Sequence, residues 1–327
     1  MTSVTVRVPA KINLQLAVGP LRPDGYHGLV TVFHAVSLFD DLTVATAETD
    51  SVAVTGEGAE AVPADDDNLA LRAVRALREA VAKRGDAAHA ASGAAGADRS
   101  AHAGGRSGVA VAIAKRIPVA GGMAGGSADA AAALVACNEL WGTGLSHEEL
   151  CTVAGGVGSD VAFAVVGGTA IGRGRGEQLT PATPAAPEAY HWVLALADGH
   201  LSTPTVFRTL DRQRQGLDVP EPELSAELMA ALSEGDAAKL GGTLSNDLQE
   251  PALTLFPALR KTLDAGLAAG ALGALVSGSG PTCFFLAGSA GEAAELAAAL
   301  SGTGACRSVA TATGPVPGAT VVTQEKG

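Results

Sequence analysis

The segment Pro118-Val119-Ala120-Gly121-Gly122-Met123-Ala124-Gly125-Gly126-Ser127 lies between an apolar run at 109–114 and an alanine-rich run at 128–136. That order reads as strand, glycine-rich loop, helix. Glycines let a backbone turn tightly and approach a ligand with no Cβ in the way. The helix that follows begins with unpaired N–H groups and the positive end of its dipole. Together these features suit a phosphate. A flexible turn in a glycine-rich chain is the alternative. No Gly-Lys-Ser/Thr follows, so the loop is not a P-loop. No acidic ribose reader can be assigned about 20 residues on, although Glu148 and Glu149 fall in range, which weakens a dinucleotide fold.

The 327 residues suffice for two domains of ordinary size. Aromatic residues are only 3%, so the core must be built from many small side chains packed closely. A net charge of −12 argues against nucleic-acid binding through a broad basic surface, and an anionic substrate would need a local basic pocket. The four cysteines show no Cys-x-x-Cys spacing, which argues against a zinc site or a disulfide framework. The first residues lack a signal peptide's pattern, and no apolar run approaches the roughly 20 residues that span a bilayer. A cytoplasmic chain without membrane or nucleic-acid partners is expected, as a monomer or weak homodimer.

Alternating runs at 4–8 and 12–18, then 29–39 and 42–47 after a turn at Asp40-Asp41, predict four antiparallel N-terminal strands. A helix capped at Asp67-Asn68 follows. Residues 85–108 hold no large apolar side chain and read as a disordered surface insertion. His89 and His102 lie there without metal-ligand spacing. Helices are expected at 127–141 and 146–154, the second opening on the capping box Ser146-His147-Glu148-Glu149. The Pro/Ala-rich stretch 181–187 reads as an exposed linker. The second half alternates helices (203–212, 225–232, 257–269, 292–300) with strands (191–197, 274–276, 282–287). The class is α/β or α+β, with units at 1–165 and 166–327.

Four groups of residues can carry chemistry. Lys11 and Asn13 share one face of an early strand; either the lysine head reaches a site or it ends in water at the strand's edge. Asp160, in Gly158-Ser159-Asp160-Val161, either caps a helix or accepts a hydroxyl proton near a phosphate donor. Asp24-Gly25 marks a hairpin turn, which leaves Tyr26 and His27 as packed surface rings or as a platform for a nucleobase. Ser277-Gly278-Ser279-Gly280-Pro281 is a second glycine loop between strands.

These motifs in this order resemble the GHMP kinase superfamily. Pro9-Ala10-Lys11-Ile12-Asn13-Leu14, Arg22-Pro23-Asp24-Gly25-Tyr26-His27 and Ser245-Asn246-Asp247-Leu248 are similar to the branch acting on a cytidyl-linked methylerythritol. The resemblance implies a two-domain fold, with a ribosomal-protein-S5-like nucleotide domain, a ferredoxin-like domain and the substrate cleft between them. It implies ATP and Mg²⁺, with the γ-phosphoryl group passing to the acceptor's 2-hydroxyl. On that pattern Asp160 is the catalytic carboxylate and Lys11 its cationic partner. Asn13 and Gly278 touch substrate, Thr203 lies near its diphosphate, and Tyr26, His27, Phe33 and Phe207 form the cytidine pocket, with His27 reading the base edge. Pro118, Gly121, Gly122, Met123, Ala124, Gly125, Gly126 and Ser127 wrap the ATP phosphates, with Ser127 near the metal. Lys115 matches a nucleotide-side residue, or else is one of a solvated Lys115-Arg116 pair. Ala124 and Ala128 replace the pattern's usual glycine and serine, and Asp129 its asparagine. Asp129 must point away from the ligand, since its charge would repel phosphate. Two rivals remain: a member acting on homoserine, mevalonate or a sugar, and a non-catalytic nucleotide-binding protein on the same scaffold. The aromatic turn argues against the first, and the retained Lys11 and Asp160 against the second.

Overall fold

The computed structural model describes residues 3–92, 108–182 and 189–322. Its frame is a pair of long antiparallel strands, β1 (Ser3–Leu21) and β2 (His27–Ala47), in register from Ser3 opposite Ala45 to Leu21 opposite His27. Four separate strands were expected here. Register shifts at Pro9/Ala10 and Asn13/Gln15 instead let each strand bend without breaking, as β-bulges do. Asp40 and Asp41 are inside β2, not in a turn. The turn falls at Arg22 to Tyr26, where the Asp24 carboxylate accepts from the Tyr26 amide at 3.1 Å and Gly25 takes φ +78°.

Strand β3 (Ser51–Gly56) pairs parallel with β4 (Gly108–Lys115), and β4 pairs with β2. On the other flank β5 (Thr169–Gly174) pairs with β2 and β6 (Gln178–Pro181) with β5. The boundary expected at 165/166 thus precedes a hairpin that belongs to the first sheet. Side chains alternate along a strand, so Val6, Val8, Ala10, Ile12 and Leu14 of β1 enter the core while Lys11 and Asn13 face the other way.

Helix α1 (Leu69–Ser92) is capped by Asn68, whose Oδ1 accepts from the Ala70 amide at 2.9 Å. It continues eight residues into the segment expected to be a disordered insertion, 85–92. Alanine is the strongest helix former, and a helix already nucleated extends without large apolar residues. The rest of that segment up to 107, including His102, is outside the described residues, as is 183–187 of the expected linker. Helix α2 (Gly125–Trp141) runs through the core centre, with Ala128, Ala130, Ala131, Ala132, Ala133 and Leu134 all buried. Its small side chains let β1, β2 and α1 approach it closely. Helix α3 (His147–Val157) opens on the expected capping box at Ser146 and Glu149, and α4 (Ser159–Val166) follows after Gly158 alone.

The second sheet comprises β7 (Tyr190–Leu196), β9 (Gly273–Val276), β10 (Cys283–Ala287) and β11 (Ser308–Gly314), in the order β11-β7-β10-β9. With α9 (Ala258–Ala268) before β9 and α10 (Ala290–Gly302) before β11, this is the βαββαβ arrangement of a ferredoxin-like unit. One face packs Val193, Ala195 and Phe285 on Leu259, Leu263, Leu296 and Leu300. The other turns Tyr190, Trp192, Leu194 and Phe284 into the core of the first sheet, where the Trp192 ring meets His34 at 5.5 Å and Phe284 at 5.6 Å. Between β7 and β9 the chain forms α5 (Thr203–Gln213), α6 (Ala226–Glu234), α7 (Ala237–Thr243) and α8 (Gln249–Leu255). Two short strands, β8 (Ser245–Asn246) and β12 (Thr320–Val321), return to pair with β1. Among the described residues no helix is long and apolar enough to cross a membrane.

A buried charge cluster lies below the glycine loop. Lys115 Nζ donates to Asp40 at 2.5 Å and to Asp129 at 2.7 Å, and Asp40 also accepts from the Arg116 and Ile117 amides. Burial pulls the Lys115 pKa down, but the two carboxylates outweigh it and hold it above the ordinary lysine value. Burial raises Asp129 to about 7, against the pull of Lys115 and with the push of Asp40.

Removing one member of a buried ion cluster leaves the others unpaired in a low dielectric. Lys115→Met is expected to cost about 3–5 kcal/mol of stability by urea denaturation. Folded Asp129 holds its proton to higher pH than in the unfolded chain. Its contribution therefore falls as pH rises from the normal 3.8 towards about 7. Asp129→Asn is expected to flatten that decline, so that melting temperatures of variant and parent diverge in the variant's favour towards pH 8.

Candidate active site

The loop after β4 is bent by left-handed residues at Ala120 (φ 52°), Gly122 (φ 75°) and Ala124 (φ 60°). Alanine rarely adopts this region, where its Cβ crowds the next carbonyl. Ala124 is also the N-cap of α2, and no side chain caps that end. The first-turn amides of α2 therefore face a cleft of about 610 Å³, lined by Ala120, Gly121, Gly122, Ala124, Gly125, Gly126 and Ser127 from this loop. Three residues assigned to the nucleotide do not reach it. Lys115 is enclosed by Asp40 and Asp129, the Met123 side chain fills the core, and Pro118 is buried beneath Gly121. As expected, Asp129 points away from the cleft.

Gly122 lies against the second glycine loop so closely that a Cβ there would sit 2.0 Å from the Ser277 carbonyl oxygen. The Gly122 carbonyl accepts from Ser277 Oγ at 3.0 Å and from Lys11 Nζ at 3.2 Å. Asn246 holds the second loop from behind, donating through Nδ2 to the Val276 and Gly278 carbonyls at 2.8 and 2.7 Å. The Ser245-Asn246-Asp247-Leu248 motif is thus a loop support: Asp247 meanwhile accepts from the Val18 amide and from Arg214.

Lys11 and Asp160 converge in this cleft. Lys11, only 7% exposed, donates to Asn13 Oδ1 at 2.7 Å, and its Nζ stands 3.8 Å from Asp160 Oδ2. Asn13 passes the constraint on through Nδ2 to Thr31 Oγ1 at 2.8 Å, which fixes the direction of its amide. Burial lowers the Lys11 pKa, and the Asp160 carboxylate partly restores it. Asp160, in the first turn of α4, has a side chain 33% exposed and lines the cleft. A cation locked in place thus faces an acid that solvent or a substrate hydroxyl can reach. Gly278 and Thr203 line the same cleft, and Thr203 Oγ1 lies 2.9 Å from Ser279 Oγ.

A second cavity of about 980 Å³ adjoins the first and is lined by Tyr26, His27, Phe207, Arg208 and Asp211, among others. His27 stacks on Phe207 with centroids 5.4 Å apart. Its Nδ1 donates to the Gly19 carbonyl at 2.9 Å and its Nε2 lies 3.1 Å from Asp211 Oδ1. Both ring nitrogens are engaged by the protein, so the His27 side chain supports Phe207 and is not free to read a base edge. Phe33 is not in this cavity. It is buried on Phe163 at 4.9 Å, under the Lys11 ammonium, and lines the first cleft.

Sequence reasoning passed over Ala120, Ser159 and Arg175, which also line the first cleft. Arg175 sits in the β5–β6 turn between Gly174 (φ 74°) and Gly176 (φ 104°), with its guanidinium 3.7 Å over the Tyr26 ring and 3.4 Å from Asp24. The Gly174-Arg175-Gly176 spacing was the available signal. Among the described residues no group of three or more His, Cys, Asp or Glu side chains could hold a metal ion.

Two family models match the chain, GHMP kinases N terminal domain over residues 68–168 and GHMP kinases C terminal over 228–306. The chain belongs to the GHMP kinases, two-domain enzymes that phosphorylate small molecules. It is 55% identical to a curated protein of Thermobifida fusca over 98% of this chain and 99% of that one. It is 53% identical to one of Streptomyces coelicolor, over 98% and 99%. Both relatives are named 4-diphosphocytidyl-2-C-methyl-D-erythritol kinase. A crystal structure of 4-(cytidine 5'-diphospho)-2C-methyl-D-erythritol kinase shares 32% identity at a TM-score of 0.69, covering 94% of this chain and 98% of that chain. A homoserine kinase from Cytophaga hutchinsonii matches at the same TM-score with 19% identity, a likeness of fold alone.

Gly122→Ala forces a left-handed alanine and drives its Cβ into the Ser277 carbonyl. It is expected to part the two loops and abolish saturable binding of a non-hydrolysable ATP analogue, measured by calorimetry. The fold, followed by circular dichroism, should remain because the contact lies outside the shared apolar core.

Proposed function

We propose that the chain transfers the γ-phosphoryl group of ATP to the 2-hydroxyl of 4-diphosphocytidyl-2-C-methyl-D-erythritol, in the methylerythritol phosphate route to isoprenoids. The observation that carries this reading is the meeting of Lys11 and Asp160 at 3.8 Å in the cleft onto which the uncapped N-terminus of α2 opens. The names of its relatives support the choice of acceptor. So does the adjoining cavity with its Tyr26 and Phe207 rings, which suits a cytosine better than an aliphatic amino acid.

In this reading the loop amides and the first turn of α2 hold the β- and γ-phosphates. Asp160 orients the acceptor hydroxyl and takes its proton as the oxygen attacks the γ-phosphorus. The bond to the bridging oxygen breaks and ADP leaves. Lys11, fixed by Asn13 and the Gly122 carbonyl, offsets the charge that gathers around that oxygen. Mg²⁺ takes oxygen ligands and keeps several waters, so one protein hydroxyl together with the nucleotide's phosphates fits the donor set of this cleft. Ser127 is the residue that would hold it, and the ion would neutralise charge on the phosphates. His27 is a positioning residue that acts through Phe207. The same reading assigns 1–165 to the nucleotide-binding unit and 166–327 to the second. The pairing of β5 and β6 favours extending the first unit to Pro181. It also makes the chain a cytoplasmic monomer or weak dimer acting on a small molecule.

Purified chain with ATP is expected to phosphorylate the cytidyl acceptor; turnover of homoserine or mevalonate without turnover of that acceptor would overturn the proposal. Asp160→Asn is expected to lower kcat by about a hundredfold or more with nucleotide affinity unchanged. His27→Ala should raise the acceptor KM and leave the ATP KM in place, and the opposite pattern would remove His27 from the acceptor side.

A further inference from the structure

A protonated lysine head carries three N–H bonds and accepts none. Lys11 directs one to Asn13 Oδ1 at 2.7 Å and one to the Gly122 carbonyl at 3.2 Å. Asp160 Oδ2, at 3.8 Å, lies beyond hydrogen-bond range of the third. The ammonium is tetrahedral, so two fixed bonds set the direction of the remaining N–H. The second glycine loop closes over the pair, since a Cβ on Gly278 would lie 3.3 Å from Lys11 Nζ and 3.4 Å from Asn13 Oδ1. Of the two fixed bonds the shorter is to Asn13. A lysine stem is flexible and its head is a point charge. The head is therefore held no better than Asn13 is held.

Asn13, Gln15 and Thr31 are all buried. A threonine hydroxyl has a single proton to give. Thr31 Oγ1 gives it to the Gln15 carbonyl at 2.6 Å. Towards Asn13, at 2.8 Å, it can only accept, and it accepts from Nδ2. That leaves Asn13 Oδ1 for Lys11. Donors and acceptors thus follow one order from a backbone carbonyl to the ammonium. Thr31 borders the cleft, but its hydroxyl is occupied by the protein on both sides. The backbone makes this convergence possible: β1 shifts register between Asn13 and Gln15, and Thr31, paired with Leu16, reaches both across the bulge. The far end is anchored too. Gln15 Nε2 donates to the Glu223 carbonyl at 2.7 Å, and its Oε1 accepts from the Ser225 amide at 3.0 Å.

We propose that Thr31 is a positioning residue for phosphoryl transfer: through Asn13 it fixes where the Lys11 ammonium stands and which way its free N–H points. This rests on the reading above in which Lys11 offsets charge at the transfer site. Without the Thr31 oxygen, Asn13 Nδ2 is a buried donor with no partner, and the amide turns to find one. Lys11 then loses its nearest acceptor, while the surfaces that bind nucleotide and acceptor stay in place.

The test compares the parent chain with Thr31→Val, Thr31→Ser, Asn13→Ala and the double variant carrying Asn13→Ala and Thr31→Val. Steady-state kinetics follow ATP and 4-diphosphocytidyl-2-C-methyl-D-erythritol. Thr31→Val keeps the volume and removes the hydroxyl. It is expected to lower kcat by about tenfold, the scale of one hydrogen bond to a charged network, with both KM values unchanged. Thr31→Ser keeps the hydroxyl and should restore most of that turnover. Thr31→Val should cost nothing further once Asn13 is alanine, because residues acting through one another are not additive. Where Thr31→Val fails to fold by circular dichroism, Thr31→Ala removes the same oxygen and is read in its place. Parental kcat in the variant without the hydroxyl would overturn the inference. So would a loss in Thr31→Ser equal to that in Thr31→Val, which would make the effect one of packing. Losses that multiply in the double variant would also overturn it, since Thr31 would then act apart from Asn13. A raised KM with kcat unchanged would make Thr31 a binding contact and end the inference as well. Failure of the parent chain to phosphorylate the acceptor would remove the proposed function, and this inference with it. An active parent with an undiminished Thr31→Val would remove this inference alone.

Discussion

The backbone contact between Gly122 and the loop Ser277-Gly278-Ser279-Gly280 is the constraint on which the site depends. No other residue type fits, because a Cβ would meet the Ser277 oxygen at 2.0 Å and the Gly280 nitrogen at 2.9 Å. The contact brings together loops from the two sheets, and its carbonyl is one of the anchors of Lys11. The shared core enforces it from behind. Trp192, Leu194 and Phe284 of the second sheet are buried among residues of the first, so the loops above them have little freedom to separate. Close packing transmits such constraints because interiors hold few voids to absorb movement.

Charge is arranged around that contact by burying one cation in the core and fixing another at the wall of the cleft. Lys115 lies just before the glycine loop in sequence, and it is neutralised within the core. Its two carboxylates outnumber it, so the cluster adds no positive charge to the cleft. What it adds is geometry: Asp40 ties β2 to the amides of Arg116 and Ile117, and Asp129 ties α2 to the Lys115 ammonium. The loop is therefore anchored at both ends while its own amides stay unpaired by side chains. The positive groups at the cleft beside this loop are then Lys11 and the uncapped N-terminus of α2.

Much of this was legible in the chain. The glycine loop, the helix after it, the Ser146 capping box, the hairpin at Asp24-Gly25 and the turning of Asp129 away from the cleft all follow from local patterns, and the structure has each of them. The misses share a cause, which is that the deciding partner is distant in sequence. Lys115 looks like a ligand-side cation until Asp40, from a strand 75 residues earlier, is placed on it. His27 looks like a base reader until Gly19 and Asp211 take its two nitrogens. Phe33 is drawn from the expected pocket by Phe163, on a helix far along the chain. Bulges hide within alternating runs, so two bent strands read as four. The short strands β8 and β12 carry no pattern of their own, since a two-residue pairing is decided by backbone hydrogen bonds rather than side-chain alternation.

The seam between the cavities explains why a single fold can separate recognition from chemistry. Phe33 sits under the Lys11 ammonium on one side and under the Gly176 turn on the other, so it sets the spacing between the transfer site and the Arg175 turn. Ser159 stands beside it, one residue from Asp160 and lining both cavities. A molecule anchored by rings in the larger cavity thus has its far end delivered at a fixed distance to the acid. Phosphoryl transfer asks for little beyond such delivery, because its loose transition state is stabilised chiefly by position and charge. In the proposed reaction the aromatic cavity is part of the catalytic apparatus: binding there restricts the hydroxyl's freedom before the reaction begins, and an acceptor too short to reach across the seam would forfeit that advantage even if its hydroxyl fitted the cleft.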